Sequence, residues 1–410
     1  MAAAGVIAEY NPFHRGHAWQ LAELRRRLGA DTAVIVCMSG NFVQRGDFAI
    51  LSKHARAEMA LLGGADLVLE LPTPWSAAGA ERFAQGGVGV LAACGVVTHL
   101  AFGSESGALE RLQAAADCLD SEAYRETLRR VSGGGVSFAA ARQEAVRRLS
   151  GAAAECLSRP NDILAVEYMR ALKAQGSGIA ALPLPRVGAG HDSGEKSAFP
   201  SASFIRERIL GEGEYFLPEA SAAILSREME AGRAPVTWRT CQRAILARLR
   251  SMDEEDFRPY DGGNEGLYHR FWTAVHKETT VEGVLSAVKT RRYPMSRLRR
   301  MLLLAYLGVL QAGQGETPPY LRVLGANERG RALLAQMRRT ASLPVITKPG
   351  HVRRLDGEAQ RIFDQESRCT DLYTLAYPDL AQSMPENEYT AAPVMLPGTE
   401  KGRHAPWKNG

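Results

Sequence analysis

Through its first 200 or so residues the chain alternates short β-branched apolar runs with longer segments whose apolar positions recur every three to four residues, the pattern of a parallel sheet wrapped by helices. Five runs predict strands, at 4–9 (AGVIAE), 32–38 (TAVIVCM), 66–71 (DLVLEL), 98–103 (THLAFG) and 179–184 (IAALPL), with helices near 16–28, 51–63, 78–93 and 161–175. After Glu212 the strand signal fades. Helical periodicity then predicts 218–231, 239–251, 266–276, 281–290, 295–311 and 328–340. The expected organisation is an α/β, Rossmann-like parallel-sheet domain over 1–215, a mainly α-helical domain over 216–384, and a tail over 385–410. The tail mixes one short extended segment with Pro, Gly and Lys and is expected to be partly disordered, above all in its last dozen residues.

Composition narrows the class. At 410 residues the chain exceeds what one core usually organises, and its 45% hydrophobic and 23% charged residues are ordinary for a globular protein. No run of about 18 apolar residues is present to cross a membrane. Six cysteines stand singly, with no C-x-x-C pair, which removes a zinc or disulfide framework. The opening MAAAGVIAEYNPF has no basic residue before its apolar run and breaks at Asn11-Pro12, unlike a signal peptide, so a reducing cytoplasm is the expected location. Charge is uneven: Val281 to Gln360 holds fourteen Lys and Arg against five Asp and Glu, a net +9 in a chain of net +5. The remainder is therefore acidic.

In open α/β sheets ligands sit beyond the carboxyl ends of the strands, so the loops there carry the candidate chemistry. Asn11-Pro12-Phe13-His14-Arg15-Gly16-His17 lies between the first strand and a helix starting near Gly16. Histidines three apart share one side of a first helical turn, where free N–H groups and the helix dipole already favour an anion. Gly16 lets a phosphate approach the backbone. Gly103 ends the fourth strand, and Asn161 either serves a nucleotide or caps the following helix. Ser201 to Arg206 opens a helix, with Ser203 and Arg206 suited to phosphate unless the run is only a cap with a solvated Arg. In the loop Ser39–Asp47, punctuated by glycine and expected to be mobile, Gln44 and Arg45 are candidates for a small-substrate pocket, while Lys53 and Arg56 share a helical face and could reach a phosphate or RNA. Gly87-x-Gly89-x-x-Ala92 follows a helical stretch, not a strand, and is read as packing. The sequence GSESG at 103–107 has Glu at its centre and is no nucleophile elbow, and GEKS at 194–197 lacks the Gly-Lys pair of a phosphate loop.

The H-x-G-H sequence after the first strand resembles the nucleotidyltransferase superfamily that shares this ATP motif with class I aminoacyl-tRNA synthetases. EYNPFHRGH, MSGNFVQRGDFA, LSKHAR, GADLVLELP, FGSE, PNDILAVEY, KTRRYPMSRLRRMLL, PPYLRVLGANERG and SLPVITK together resemble one family, the tRNA(Met) cytidine acetate ligases, over about residues 4–348. The resemblance implies a nucleotidyltransferase-type α/β domain in which ATP, with Mg2+, activates acetate as acetyl-adenylate. It implies transfer of the acetyl group to N4 of the wobble cytidine in the anticodon loop of elongator tRNA(Met), without acetyl-coenzyme A. It points to His14, His17 and Lys53 as catalytic and to Ile7, Asn11, Pro12, Gly16, Gln20, Gly103, Asn161, Arg186, Val187, Ser203 and Arg206 as further ATP contacts. Metal ligands stay unassigned, and neither a membrane nor an obligate protein partner is expected. The chain departs from the family at Gly190, where an aromatic is expected ahead of His191-Asp192.

The basic run Lys289, Arg291, Arg292, Tyr293, Arg297, Arg299, Arg300 carries six positive charges in twelve residues without an acid, which fits a phosphate-rich partner, with Tyr293 able to stack on an unpaired base. Arg322, Arg329, Arg331, Arg338 and Arg339 extend the same sign. Two other readings stay open on residues alone: an adenylyltransferase for a small phosphorylated metabolite, and a noncatalytic RNA-binding module on a nucleotide fold.

Overall fold

The computed structural model describes residues 3–132, 137–185, 201–209, 215–262, 266–386 and 388–397. In chain order the first strands are β1 (Ala3–Ala8), β2 (Ala33–Ser39), a small hairpin of β3 (Phe42–Val43) and β4 (Asp47–Phe48), then β5 (Leu67–Leu71), β6 (Val97–Ser104) and β7 (Ala180–Pro185). The five expected strands pair in parallel in the order β5-β2-β1-β6-β7. Their near-continuous apolar sequences follow from burial on both faces. Val6, Val34, Val36 and Val68 face α1 (Arg15–Leu28) and α2 (Lys53–Leu62). Ile7, Ile35, Cys37 and Leu69 face the opposite layer. That layer follows the short α3 (Thr73–Ser76) and holds α4 (Ala80–Ala93), α5 (Leu109–Asp120), α6 (Glu122–Val131), α7 (Phe138–Ser150) and α8 (Pro160–Ala174). The Gly87/Gly89 sequence is indeed a packing surface of α4: a Cβ at Gly87 would stand 2.8 Å from Ile7, and one at Gly89 2.2 Å from Thr317.

After α9 (Ala202–Glu207) and α10 (Glu219–Glu230), helices α11 (Trp238–Arg250), α12 (Arg258–Asp261), α13 (Leu267–Lys277), α14 (Val281–Val288) and α15 (Met295–Leu307) build a second core. Gly308, left-handed at φ +66, ends α15 four residues earlier than its periodicity suggested. The second half is not helical throughout. Leu321–Ala326 forms β8, antiparallel to β5 in the main sheet, followed by α16 (Glu328–Thr340), β9 (Val345–Ile346), α17 (Gly357–Thr374) and β10 (Val394–Met395), which pairs with β8. α17 spans both cores, with Ile362 and Phe363 under the sheet and Tyr373 in the helical cluster. The last dozen residues, expected to be disordered, lie outside the described residues. Among the described residues no helix is long and apolar enough to cross a membrane.

The expected mobile loop is the β3–β4 hairpin, whose Phe42 and Phe48 are buried in the helical core. Its turn residue Gly46 has φ +75, and a Cβ there would lie 2.3 Å from the backbone nitrogen of Arg300.

Beneath the sheet ends lies a buried charge cluster. Lys53 Nζ is 2.7 Å from Glu70 Oε1 and 2.6 Å from Glu388 Oε1, and Arg322 Nε is 3.5 Å from Glu70 Oε2. Arg322 also pairs with Glu388. All four side chains are essentially inaccessible. Burial works against the Lys53 cation, but Glu388 and Glu70 outweigh it and hold its pKa above the ordinary value. Burial likewise opposes the Glu388 carboxylate, which Lys53 and Arg322 nevertheless hold down at about 2. Nearby Glu366, accepting from Thr73 N at 2.6 Å, is raised to about 8 by burial and by Glu70.

Two outcomes follow from this packing. Gly46→Ala combines a left-handed conformation that costs a side chain about 1–2 kcal/mol with a collision against α15, and should lower the thermal midpoint and detach the hairpin from that helix, read by proteolysis within 40–48. Because Glu366 holds its proton up to about 8 when folded and only to about 4.5 when unfolded, its contribution is complete below pH 4.5 and is lost as pH rises to 8, by at most about 1.4 kcal/mol per pH unit. Glu366→Gln should therefore gain on the parent progressively between pH 5 and 8 in denaturant melts; parallel curves would mean that Glu366 is ionised in the fold.

Candidate active site

A cavity of about 680 Å³ opens at the carboxyl ends of β1, β6 and β7. Its chemistry begins in the backbone turn after β1, where Tyr10 is left-handed at φ 45 and packs against both Phe13 and His17. His14 is the N-cap of α1, and its Nδ1 accepts the Gly16 N–H at 3.1 Å. His17 Nδ1 accepts the His14 N–H at 3.3 Å, so the two imidazoles replace Ser and Glu in a reciprocal capping box. Each Nδ1 accepts a hydrogen bond from a backbone N–H and so carries no proton of its own, which leaves Nε2–H as the donor on both neutral rings. The rings stack with centroids 3.7 Å apart. Two imidazole N–H donors thus stand over the first turn of a helix, whose dipole favours an anion, a site made from one turn of chain.

The other walls come from distant elements. Ile7, Asn11, Gly16, Gln20, Gly103, Asn161, Ser203 and Arg206 all line the cavity with the two histidines. Pro12 does not line it, and Arg186, Val187 and the Gly190–Asp192 segment lie outside the described residues. Asn11 uses its side-chain oxygen to accept from Ile50 N at 2.8 Å, so it fixes the loop from behind. Arg206 is not solvated: it donates to the Asn11 carbonyl at 2.8 Å and to Ser203 Oγ at 3.1 Å, and burial lowers its pKa. Ser201 supplies the cap of α9, leaving Ser203 to the cavity. Asn161 does not cap α8. Glu105 does, accepting from Asp162 N at 2.9 Å and from the Asn161 amide, while Asp162 accepts from Glu105 N at 3.0 Å and Ser106 N at 3.1 Å. This mutual clasp sets the Gly103 turn beside Asn161.

Lys53 and Arg56 are the corrections. Lys53 is absent from the cavity wall, consumed by Glu70 and Glu388, and no longer a candidate for catalysis. Arg56 is fully buried and donates to the carbonyls of Leu51 at 3.0 Å, Glu9 at 2.6 Å and Ser39 at 3.1 Å, and also to that of Gly40. Their one-sided helical placement marked them as functional, but that face turns inward.

The basic run divides. Lys289, Arg291 and Arg292 are exposed. Tyr293 is 5% exposed, packed in the helical core with Arg292 and Arg297 over its ring, and offers no free face for a base. Arg297 donates to the Asp261 carbonyl at 2.9 Å, and Arg299 lies over Trp238. Arg300 reaches the cavity beside Pro294 and Ser296, donates to the Gln44 carbonyl at 3.2 Å, and is lowered to about 10 by burial. Gln44 and Arg45 line the same wall. Arg322 is buried in its ion pairs, and Arg329 faces Asp31 at the opposite end of the strands, so the positive excess is not one surface. Also in the wall, without a role assigned from sequence, are Glu9, Trp19, Phe83, Phe102, Arg142 and Tyr168. Glu9, Phe102 and Tyr168 belonged to quoted stretches, whereas Phe83 looks like an ordinary core residue in sequence.

The family model of the HIGH nucleotidyl transferases matches residues 1–388. The chain is 36% identical to the tRNA(Met) cytidine acetate ligase of Syntrophomonas wolfei subsp. wolfei, covering 97% of this chain and 100% of that one, and 34% identical to that of Acetivibrio thermocellus over the same shares. The apo crystal structure of Thermotoga maritima TmcAL superposes with a TM-score of 0.90 at 34% identity, covering 97% of this chain and all of that one. Its form bound with alpha-thio ATP superposes at 0.88. With the histidine capping box at the head of α1 and relatives matched from end to end, the chain belongs to the HIGH nucleotidyl transferase family and, within it, to the tRNA(Met) cytidine acetate ligases.

Proposed function

We propose that this chain activates acetate with ATP as acetyl-adenylate and passes the acetyl group to N4 of the wobble cytidine in the anticodon loop of elongator tRNA(Met), releasing pyrophosphate and then AMP. The observation that carries the reading is the pair of Nε2–H donors on His14 and His17 in a cavity whose wall also includes Arg300 of the basic run. The structural relative bound with alpha-thio ATP and the names of the sequence relatives support it.

In the first step an acetate oxygen attacks the α-phosphorus in line with departing pyrophosphate, and the imidazole donors meet charge that develops on phosphate oxygens. Gly103 and Asn161, held by the Glu105–Asp162 clasp, face the nucleotide from β6 and α8. Among the described residues no three His, Cys, Asp or Glu side chains gather as a metal cage. A magnesium ion in this reaction would come held by ATP phosphates and water, as hard cations in nucleotide sites commonly are. In the second step the cytidine amine attacks the acetyl carbonyl. A loop base is largely unpaired already, so presenting it costs little beyond unstacking. The division of labour proposed is activation on the sheet and tRNA presentation by the helices of 216–309, with Lys289, Arg291 and Arg292 on the RNA backbone.

Incubation with ATP, labelled acetate and bulk tRNA, without coenzyme A, should place label in N4-acetylcytidine after nuclease digestion. Omitting ATP should abolish it, and His17→Ala, checked for folding, should reduce it about 100-fold. Absence of label with folded protein and competent tRNA would instead favour adenylyl transfer to a small phosphorylated metabolite.

A further inference from the structure

The charged groups of the cavity are nearly all committed. His14 and His17 present N–H donors, Arg206 and Arg300 are bound to main-chain carbonyls, and both oxygens of Glu105 are occupied by the first turn of α8. Glu9 is different. Its Oε1 accepts the Gln44 N–H at 2.9 Å, and its Oε2 has no hydrogen-bond partner among the described residues. The side chain lines the cavity, and its main-chain carbonyl is held 2.6 Å from Arg56 Nη1, so the carboxylate projects from a fixed point at the end of β1.

Chemistry limits what Oε2 can receive. Triphosphate and acetate are anions and would be repelled by a carboxylate at contact. A hydrogen-bond donor suits it, and of the substrate groups that must react here the cytidine amine is one. The exocyclic C4 amine of cytosine is the group a carboxylate recognises on that base, whereas the carbonyl at the same position of uracil would meet it lone pair to lone pair. The position agrees: Gln44, which holds Glu9 by its N–H, holds Arg300 by its carbonyl, joining the acid directly to the basic segment.

We propose that Glu9 is the catalytic residue of the transfer step, accepting a hydrogen bond from the acceptor cytidine's N4 amine through Oε2 and then taking its proton. This step rests on the acetyl-adenylate reading above. The N4 lone pair forms the bond to the acetyl carbon, the bond from that carbon to the phosphate oxygen breaks, and AMP leaves with the electron pair. The N4 proton passes to Glu9 and from there to solvent. The same contact selects cytidine over uridine.

Two half-reactions separate the outcomes. Acetate-dependent exchange of labelled pyrophosphate into ATP reports activation alone, and label in tRNA reports transfer. Glu9→Gln, which retains an acceptor for Gln44, should keep its melting temperature and exchange within about threefold while transfer falls about 100-fold or more. Glu9→Ala should show the same split if the glutamine variant folds poorly, and Glu9→Asp should recover part of the transfer. Transfer at the parental rate in Glu9→Gln, or equal loss of exchange and transfer, overturns the assignment. No acetate-dependent exchange in the parent protein removes the acetyl-adenylate reading itself, and the role of Glu9 with it.

Discussion

The carboxyl ends of β1 and β2 are held by one guanidinium. Main-chain carbonyls that leave a sheet in the interior have no next strand to receive them, and each orphan costs about 1–3 kcal/mol. Arg56 gathers three such groups, from Glu9, Ser39 and Gly40, and the Leu51 carbonyl before α2, with the directed fork of donors that lysine lacks. Burial lowers its pKa to about 10, which still leaves it cationic at neutral pH. From this point the β1 turn, the β3–β4 hairpin and the start of α2 radiate. The positions of Glu9, Asn11 and Gln44 in the cavity all depend on it.

The hairpin carries that order outward. It is sheet-derived at its roots, helical-core at Phe42 and Phe48, and cavity wall at Gln44 and Arg45. Close approach at Gly46 sets α15 against it, so Arg300 enters the cavity at the end of a chain of packed backbone rather than on a free arm. The helical part is thus an element of the active site, not merely a neighbour that brings substrate.

Legibility in the sequence followed the range of the interaction. The five parallel strands and most helices were readable because their periodicity is local. The histidine pair was readable because its capping box closes within four residues. β8 was not: LRVLGA stands between helical segments, and only pairing with the remote β5 makes it a strand of the main sheet. Charge was readable but burial was not, so Lys53, Arg56 and Arg322 looked like solvent-seeking cations before Glu70, Glu388 and the strand-end carbonyls were seen around them. Tyr293 failed for a related reason, since a basic neighbourhood says nothing of the apolar helices that cover its ring.

The ion cluster has a temporal side. Lys53 and Arg322 emerge early and late from the ribosome, but Glu388 emerges after both, and a buried charge left without its partner costs about 3–5 kcal/mol. A nascent chain can form the first parallel strands on its own local signals, yet it cannot seal the cluster beneath them until the segment carrying Glu388 arrives. Synthesis through Glu388 is therefore a condition for the native interior, and until that residue arrives Lys53 and Arg322 have only Glu70 to share in a seam that the native chain closes.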